Sequence, residues 1–302
     1  MEPFEQGRVT ANGIDFAYLA AGPADGPLAL CLHGFPDHAP TFRHLLPRLA
    51  SAGFRAVAPW MRGYPPSSAA PDGRYQSAVL ALDAVALVEA LSPDGTASLV
   101  GHDWGAVAAC GAAVIAPERV RHLVALALPH PAVFGARLLG DWEQLRRSWY
   151  MWFFQLAVVP EMLVPAGDFA FVERLWRDWS PGLTPDPDDM AALKRSLGEP
   201  GALEAALAYY RHTIDVRNQA DELAGVQGDV SGGRIAAPAL FVFGADDGCS
   251  APDAAGESLA FCDGPAAVEV FDGCGHFLHL ERPDEVAALV LDLLGEPARV
   301  GR

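Results

Sequence analysis

The sequence predicts a mostly parallel β-sheet with helices on both faces and a helical segment inserted late in the sheet. Three observations predict it. Short, wholly apolar runs such as Leu28–Leu32 alternate with stretches that carry apolar residues at helical spacing, the rhythm of strand–helix–strand units. The run Ser98–Gly101 passes through His102 and Asp103 into Trp104, Gly105 and a small-residue stretch, which reads as a strand turning sharply into a helix. After Pro129 the strand signal stops for about a hundred residues and returns at Ala239–Phe243, so the intervening chain reads as a helical insert.

Each element has its own warrant. Arg8–Ala11 and Ile14–Ala20 flank Asn12 and Gly13, a hairpin signal. Leu28–Leu32 has the continuous apolar character of a strand buried on both faces. Phe42–Ala52 is helical, Phe54–Pro59 a strand, Tyr75–Leu91 an amphipathic helix and Leu123–Leu128 a further strand. The insert offers helical or irregular stretches at Ala132–Trp142, Leu145–Val158, Phe169–Trp179, Asp188–Leu197 and Ala202–Arg217, punctuated by prolines. Gly225–Gly233 has the composition of a flexible return to the sheet. A helix near Asp253–Ala260, a strand at Ala267–Phe271 and a helix over Asp284–Leu294 close the chain. The expected division is a first core part over 1–130, a cap over 131–225 and a second core part over 226–302.

With 302 residues, 51% hydrophobic and 20% charged, the chain can bury a large interior. Its 21 basic and 38 acidic residues give a formal charge of −17, which repels nucleic-acid phosphates and anionic membranes and argues against both as partners. The acidic start, Met1 to Gln6, lacks the profile of a signal peptide, and no apolar run reaches membrane-spanning length, so a cytoplasmic location is expected. Five cysteines, at 31, 110, 249, 262 and 274, are odd in number and lack paired metal spacing, so packed thiols are expected and neither a disulfide framework nor a metal or cofactor.

The chemistry centres on Asp103. Gly101-His102-Asp103-Trp104-Gly105 is a nucleophile-elbow pattern with aspartate where esterases carry serine. A carboxylate attacks saturated carbon and leaves an ester that water must open. The competing reading is a helix N-cap. Partners elsewhere favour the nucleophile. In His33-Gly34-Phe35-Pro36, Gly34 would let the backbone turn so that the Phe35 N–H joins the Trp104 N–H as a two-donor oxyanion hole, and these donors would hold Asp103 ionised. His276, in a glycine-rich loop after a strand, is the candidate base, whereas His279 reads as packing. Asp246 or Asp247 would fix its tautomer.

The order nucleophile, acid, histidine and the two glycine motifs resemble the α/β-hydrolase superfamily with an inserted cap, in its epoxide hydrolase branch. The resemblance implies the α/β-hydrolase fold and makes Asp247 the acid. It further implies two cap tyrosines that hold and protonate the epoxide oxygen: Tyr150, ahead of an aromatic run ending in Phe154 and Gln155, and Tyr210, followed by Arg211. Tyr209 is then packing. Trp149, Trp104 and Phe35 would help line an apolar substrate site. The implied reaction is hydrolysis of a lipophilic epoxide to a diol through an aspartyl ester, with small epoxide and water as partners and a monomer or homodimer as the assembly. Haloalkane dehalogenation by the same triad is the alternative, though Phe35 stands where those enzymes carry asparagine; a ligand-binding relative without turnover is a third reading. Ala106 replaces a second glycine, and Trp60–Pro66 departs from the family's usual stretch at a place expected to lie away from the chemistry.

Overall fold

A computed structural model describes residues 4–295; Met1 to Pro3, where the acidic start begins, and the last residues of the expected second core part lie outside them. The chain opens with β1 (Glu5–Ala11) and β2 (Ile14–Ala21), joined at Asn12 (φ 44°) and Gly13 (φ 74°), a two-residue turn whose positive φ values match the twist of the hairpin. Then follow β3 (Leu28–Leu32), α1 (Leu45–Ser51), β4 (Arg55–Pro59), α2 (Ser77–Leu91), β5 (Ala97–His102), α3 (Trp104–Ile115) and β6 (Val120–Leu126). The insert comprises α4 (Pro131–Gly140), α5 (Trp142–Arg147), α6 (Trp149–Phe153), α7 (Val159–Leu163), α8 (Ala166–Trp179), α9 (Pro187–Gly198) and α10 (Ala202–Ile214), and α11 (Ala224–Gly232) leads back to the sheet. The chain returns through β7 (Ala239–Gly244) and β8 (Ala266–Phe271) to α12 (Leu278–Glu281) and α13 (Pro283–Leu294).

The strands form one eight-stranded sheet in the order β1-β2-β4-β3-β5-β6-β7-β8, antiparallel on both sides of β2 and parallel from β4 to β8. Alternate strand residues serve opposite faces. Leu30, Leu99 and Leu123 pack with Leu80 and Leu87 of α2 and Ala108 and Ala112 of α3. Cys31, Val100 and Val124 pack with Leu46 and Leu49 of α1 and Val286 and Val290 of α13. Each fully buried leucine or valine contributes about 1.5–3 kcal/mol of transfer free energy, so the two-sided burial fixes the register as well as the fold. That register aligns Leu32 with Gly101 and His102 with Leu126, so β3, β5 and β6 end at one edge.

Several local expectations change. The helix α2 is not amphipathic: it is buried along most of its length between β1, α3 and α11. The stretch Leu145–Val158 is split, because Ser148 leaves helical geometry between α5 and α6 and Val158 takes φ 69° ahead of α7. Asp253–Ala260 forms two short 3₁₀ turns. Gly225–Gly233 is no flexible return but mostly α11. Tertiary contacts override its glycines: Gln227 accepts the Ala78 N–H at 3.1 Å and donates to Ser77 Oγ at 2.6 Å, and Val230 seats over Gly111.

Candidate active site

The residues of interest gather where the parallel strands end. Asp103 stands between β5 and α3 with φ 52° and ψ −120°, a backbone region that side-chain-bearing residues rarely adopt. Two glycines permit the turn by having no side chain: a Cβ on Gly101 would lie 2.2 Å from the Gly105 carbonyl oxygen, and one on Gly105 would lie 1.9 Å from that of Leu32. The Asp103 side chain makes no capping bond to α3. Its Oδ1 instead accepts the Phe35 N–H at 2.8 Å. The Trp104 amide lies beside the same oxygen: a Cβ on Gly34 would meet Oδ1 at 2.2 Å and that amide nitrogen at 2.6 Å. Gly34 is therefore needed for this close approach and not for a left-handed turn, since its φ is outside that region.

His276 follows β8 and is fully buried. Its Nδ1 donates to Asp247 Oδ2 at 2.9 Å, and its Nε2 faces Asp103 Oδ2 at 3.8 Å, too long for a direct hydrogen bond. Asp247 Oδ1 is held by the N–H groups of Cys249 at 2.6 Å and Ser250 at 3.0 Å. Asp246 is exposed and plays no such part. Of the two carboxylates open to the sequence reading, Asp247 is the one paired with the imidazole.

Electrostatics depart from the simplest expectation. Burial pushes the Asp103 carboxyl up to about 6, although His276 and the Phe35 and Trp104 N–H groups pull it down. The donors thus offset only part of the desolvation. For His276, burial alone would depress basicity, but the Asp247 charge and hydrogen bond, with Asp103, raise it above the ordinary value.

The insert closes over this edge and leaves a cavity of about 360 Å³ with Asp103, Trp104, Tyr150, Tyr210, Trp152 and Cys249 in its wall. The Tyr150 and Tyr210 rings meet edge to face at 5.7 Å, and Tyr210 meets Trp104 at 5.0 Å. Burial lifts both phenols well above their ordinary range, so both remain hydrogen-bond donors at neutral pH. Tyr150 Oη lies 3.4 Å from Cys249 Sγ, whereas Tyr210 Oη has no hydrogen-bond partner among the described residues. Tyr209 is committed elsewhere, donating to the Arg62 carbonyl at 2.8 Å.

Two expected lining residues are corrected. Trp149 is not in the cavity wall; the residue is 47% exposed and its ring packs on Phe153 and Phe171, because the short helix α6 turns Trp152 inward instead. The Phe35 ring is likewise absent from the wall, sealed behind it against Phe154 and Tyr210, and only its amide approaches Asp103. The stretch Trp60–Pro66 is closer than expected: Tyr64 stacks edge-on against His33 at 4.8 Å, and burial and then the charge of Asp103 raise its phenol.

The sequence reading missed several neighbours. His102 Nε2 donates to the His276 carbonyl at 3.0 Å, a role its place inside the elbow motif could have suggested. Gln144 of α5 accepts the Ala251 N–H at 2.9 Å and donates to the Cys249 carbonyl at 3.0 Å, tying the insert to the loop that carries Asp247. Arg147 donates to the Asp247 carbonyl. Nothing in the spacing marked Cys249, which enters the cavity only because the turn after Asp247 points it there. The arrangement can deliver a carboxylate to a carbon, proton donors to a departing oxygen and a carboxylate-oriented imidazole to water.

Comparison with known proteins agrees with this architecture. A family model described as alpha/beta hydrolase fold matches residues 27–283. Epoxide hydrolase 3 of Xenopus tropicalis is 30% identical over 98% of this chain and 78% of its own length. Epoxide hydrolase A of Mycobacterium tuberculosis is 30% identical over 95% of this chain and 96% of its own. The crystal structure of a Bacillus megaterium epoxide hydrolase in complex with an inhibitor superposes with a TM-score of 0.80 at 28% identity, covering 95% of this chain and 99% of that one.

Proposed function

The chain belongs to the α/β-hydrolase family, and from that membership we propose that it is an epoxide hydrolase with Asp103 as nucleophile, His276 and Asp247 as base and orienting acid, and Tyr150 and Tyr210 as proton donors. The observation that carries the reading is the pair of buried, protonated phenols sharing one cavity with Asp103. A departing halide is a stable anion, whereas an epoxide oxygen leaves as a basic alkoxide and needs a proton. In this mechanism an Asp103 oxygen bonds an epoxide carbon, the carbon–oxygen bond of the ring breaks, and a tyrosine transfers its proton to the alkoxide. Water then attacks the ester carbonyl of Asp103 as His276 Nε2 takes its proton. The oxyanion rests on the Phe35 and Trp104 N–H groups, the departing diol oxygen takes the proton held by His276, and the water's second proton, left on the regenerated Asp103 carboxyl, passes to the tyrosinate.

Charge couples the two halves. Ester formation removes the Asp103 charge, one of the causes that raise His276, so the imidazole becomes easier to deprotonate at the step where a neutral base is required. The 3.8 Å gap leaves Nε2 free for that proton.

The reading assigns the helices after Pro131 to a cap over 131–225, on a core of 1–130 and 226–302, and takes the molecule as a cytoplasmic monomer or homodimer. The free state of all five cysteines supports a reducing compartment, and no helix among the described residues is long and apolar enough to cross a membrane. A panel of epoxides and bromoalkanes, followed by a single turnover in ¹⁸O-water, tests the reading. Diol formation with label in the Asp103 carboxylate is expected; strong halide release with poor epoxide turnover would favour dehalogenation, and an unlabelled carboxylate would remove the ester.

A further inference from the structure

The cavity contains a thiol that the proposed hydrolysis does not use. Cys249 is 1% exposed and lines the wall beside Asp103. Its Sγ, a carboxylate oxygen of Asp103 and a ring nitrogen of His276 all lie within 4.8 Å of one another. The second observation concerns His276 Nε2, which is buried and has no hydrogen-bond partner among the described residues. Because Nδ1–H is engaged by Asp247, the lone pair of the neutral ring lies on Nε2, facing Asp103 Oδ2.

We propose that Asp103, Cys249 and His276 form an inhibitory site for a thiophilic divalent cation of the zinc class. One sulfur, one imidazole nitrogen and one carboxylate oxygen are a donor set such ions favour, and three protein ligands leave a fourth position open to the cavity. Bond lengths of about 2.0–2.3 Å require the 3.8 Å separation of Nε2 and Oδ2 to shorten by about half an ångström, and the separations from Sγ, which lie within 4.8 Å, to close to about 3.6 Å by rotation of the Cys249 side chain. The surroundings suit such an ion. Asp247 on Nδ1 is the outer carboxylate that metal-bound histidines commonly have, and the Phe35 N–H steadies the other Asp103 oxygen. Tyr150 Oη, 3.4 Å from the sulfur, can donate to it once it is a thiolate. Binding forms a metal–sulfur bond as the thiol proton passes to solvent, without redox change. The ion then occupies nucleophile and base together, so both ester formation and ester hydrolysis stop. Magnesium, which prefers all-oxygen ligands, is rejected by the sulfur.

Cobalt(II) is the direct probe, since a thiolate ligand gives it an intense near-ultraviolet charge-transfer band. The parent protein, Cys249→Ser, Cys249→Ala and the control Cys262→Ser, all checked for native circular dichroism, are titrated with Co²⁺, and their hydrolysis is titrated with Zn²⁺ and Mg²⁺ against each variant's own metal-free rate. The band is expected in the parent and in Cys262→Ser, and absent from both Cys249 variants, where Zn²⁺ inhibition weakens at least about tenfold. Mg²⁺ is expected to have no effect. A band that survives loss of Cys249, a parent without the band, or equal Zn²⁺ inhibition throughout overturns the site. The buried group Asp37, His102 and His279 also has metal-ligating atoms close together but lacks sulfur, so it cannot produce the band. The band is read on the resting protein, so its outcome is separate from whether epoxides are the substrate.

Discussion

The end of the sheet and the insert above it hold their reactive groups by different means. In the sheet the backbone sets position: glycines at 34, 101 and 105 admit approaches that any Cβ would block, and amide groups grip the Asp103 and Asp247 carboxylates. In the insert, side-chain packing sets position: Tyr150 and Tyr210 are held by aromatic contacts with Phe154, Trp179 and Trp104, and their hydroxyls bear few bonds. Under the proposed mechanism, a site made this way has a rigid half for covalent chemistry and an adaptable half for the leaving group. Substitutions in the two halves should therefore fail differently.

The largest expected effect is in the sheet. His276→Ala should lower multiple turnover by about 10⁴-fold or more while leaving ester formation, so a substrate-mass adduct accumulates on the intact protein. No adduct with any reactive epoxide would break the two-step division. Next comes the insert: Tyr150→Phe with Tyr210→Phe should slow ester formation by about 10²–10⁴-fold, measured in single turnover, and each single change should cost less because the other phenol remains. Near-normal rates in the double variant would confine the chemistry to the sheet.

The pH dependence sharpens the comparison further. With Asp103 pushed up to about 6, chiefly by burial, ester formation should fall as the pH drops through that value, by about tenfold per unit below it. In His276→Ala the limb should move upward, because the neighbouring cation that lowers Asp103 is gone; an unmoved limb would assign the titration to another group. The smallest effect concerns how α11 is anchored to α2. Gln227→Ala leaves the Ala78 amide without its acceptor and should destabilise folding by about 1–3 kcal/mol in chemical denaturation, with little change in the rate per folded molecule.

The same contrast explains what could be read from the sequence. The elbow and the His33–Pro36 turn were legible because close backbone approach demands glycine at fixed spacing. The sheet's alternation was legible because both faces are buried. The choice of Asp247 over Asp246 came from the resemblance alone, since adjacent residues on a loop differ only in which way the turn presents them. Trp149 and Trp152 were exchanged for a similar reason: α6 has five residues, too few for a helical phase to declare its inner face. Only the resemblance pointed to Tyr150 and Tyr210, the two tyrosines that line the cavity; local pattern could not. The glycines of α11 suggested freedom that Gln227 and Val230 remove by packing.

The unusual dihedral angles of Asp103 carry a last consequence. As the proposed nucleophile, a residue kept at φ 52° and ψ −120°, with a desolvated carboxylate, exchanges robustness for reactivity. Relaxing that geometry with Asp103→Gly should abolish activity with little change in melting temperature, since relief of about 1–3 kcal/mol of strain is offset by about 0.5–1 kcal/mol of added chain entropy and by the Phe35 N–H left without its acceptor. Thermostable descendants of this enzyme therefore have to gain their stability away from the elbow, in surface loops and helix ends.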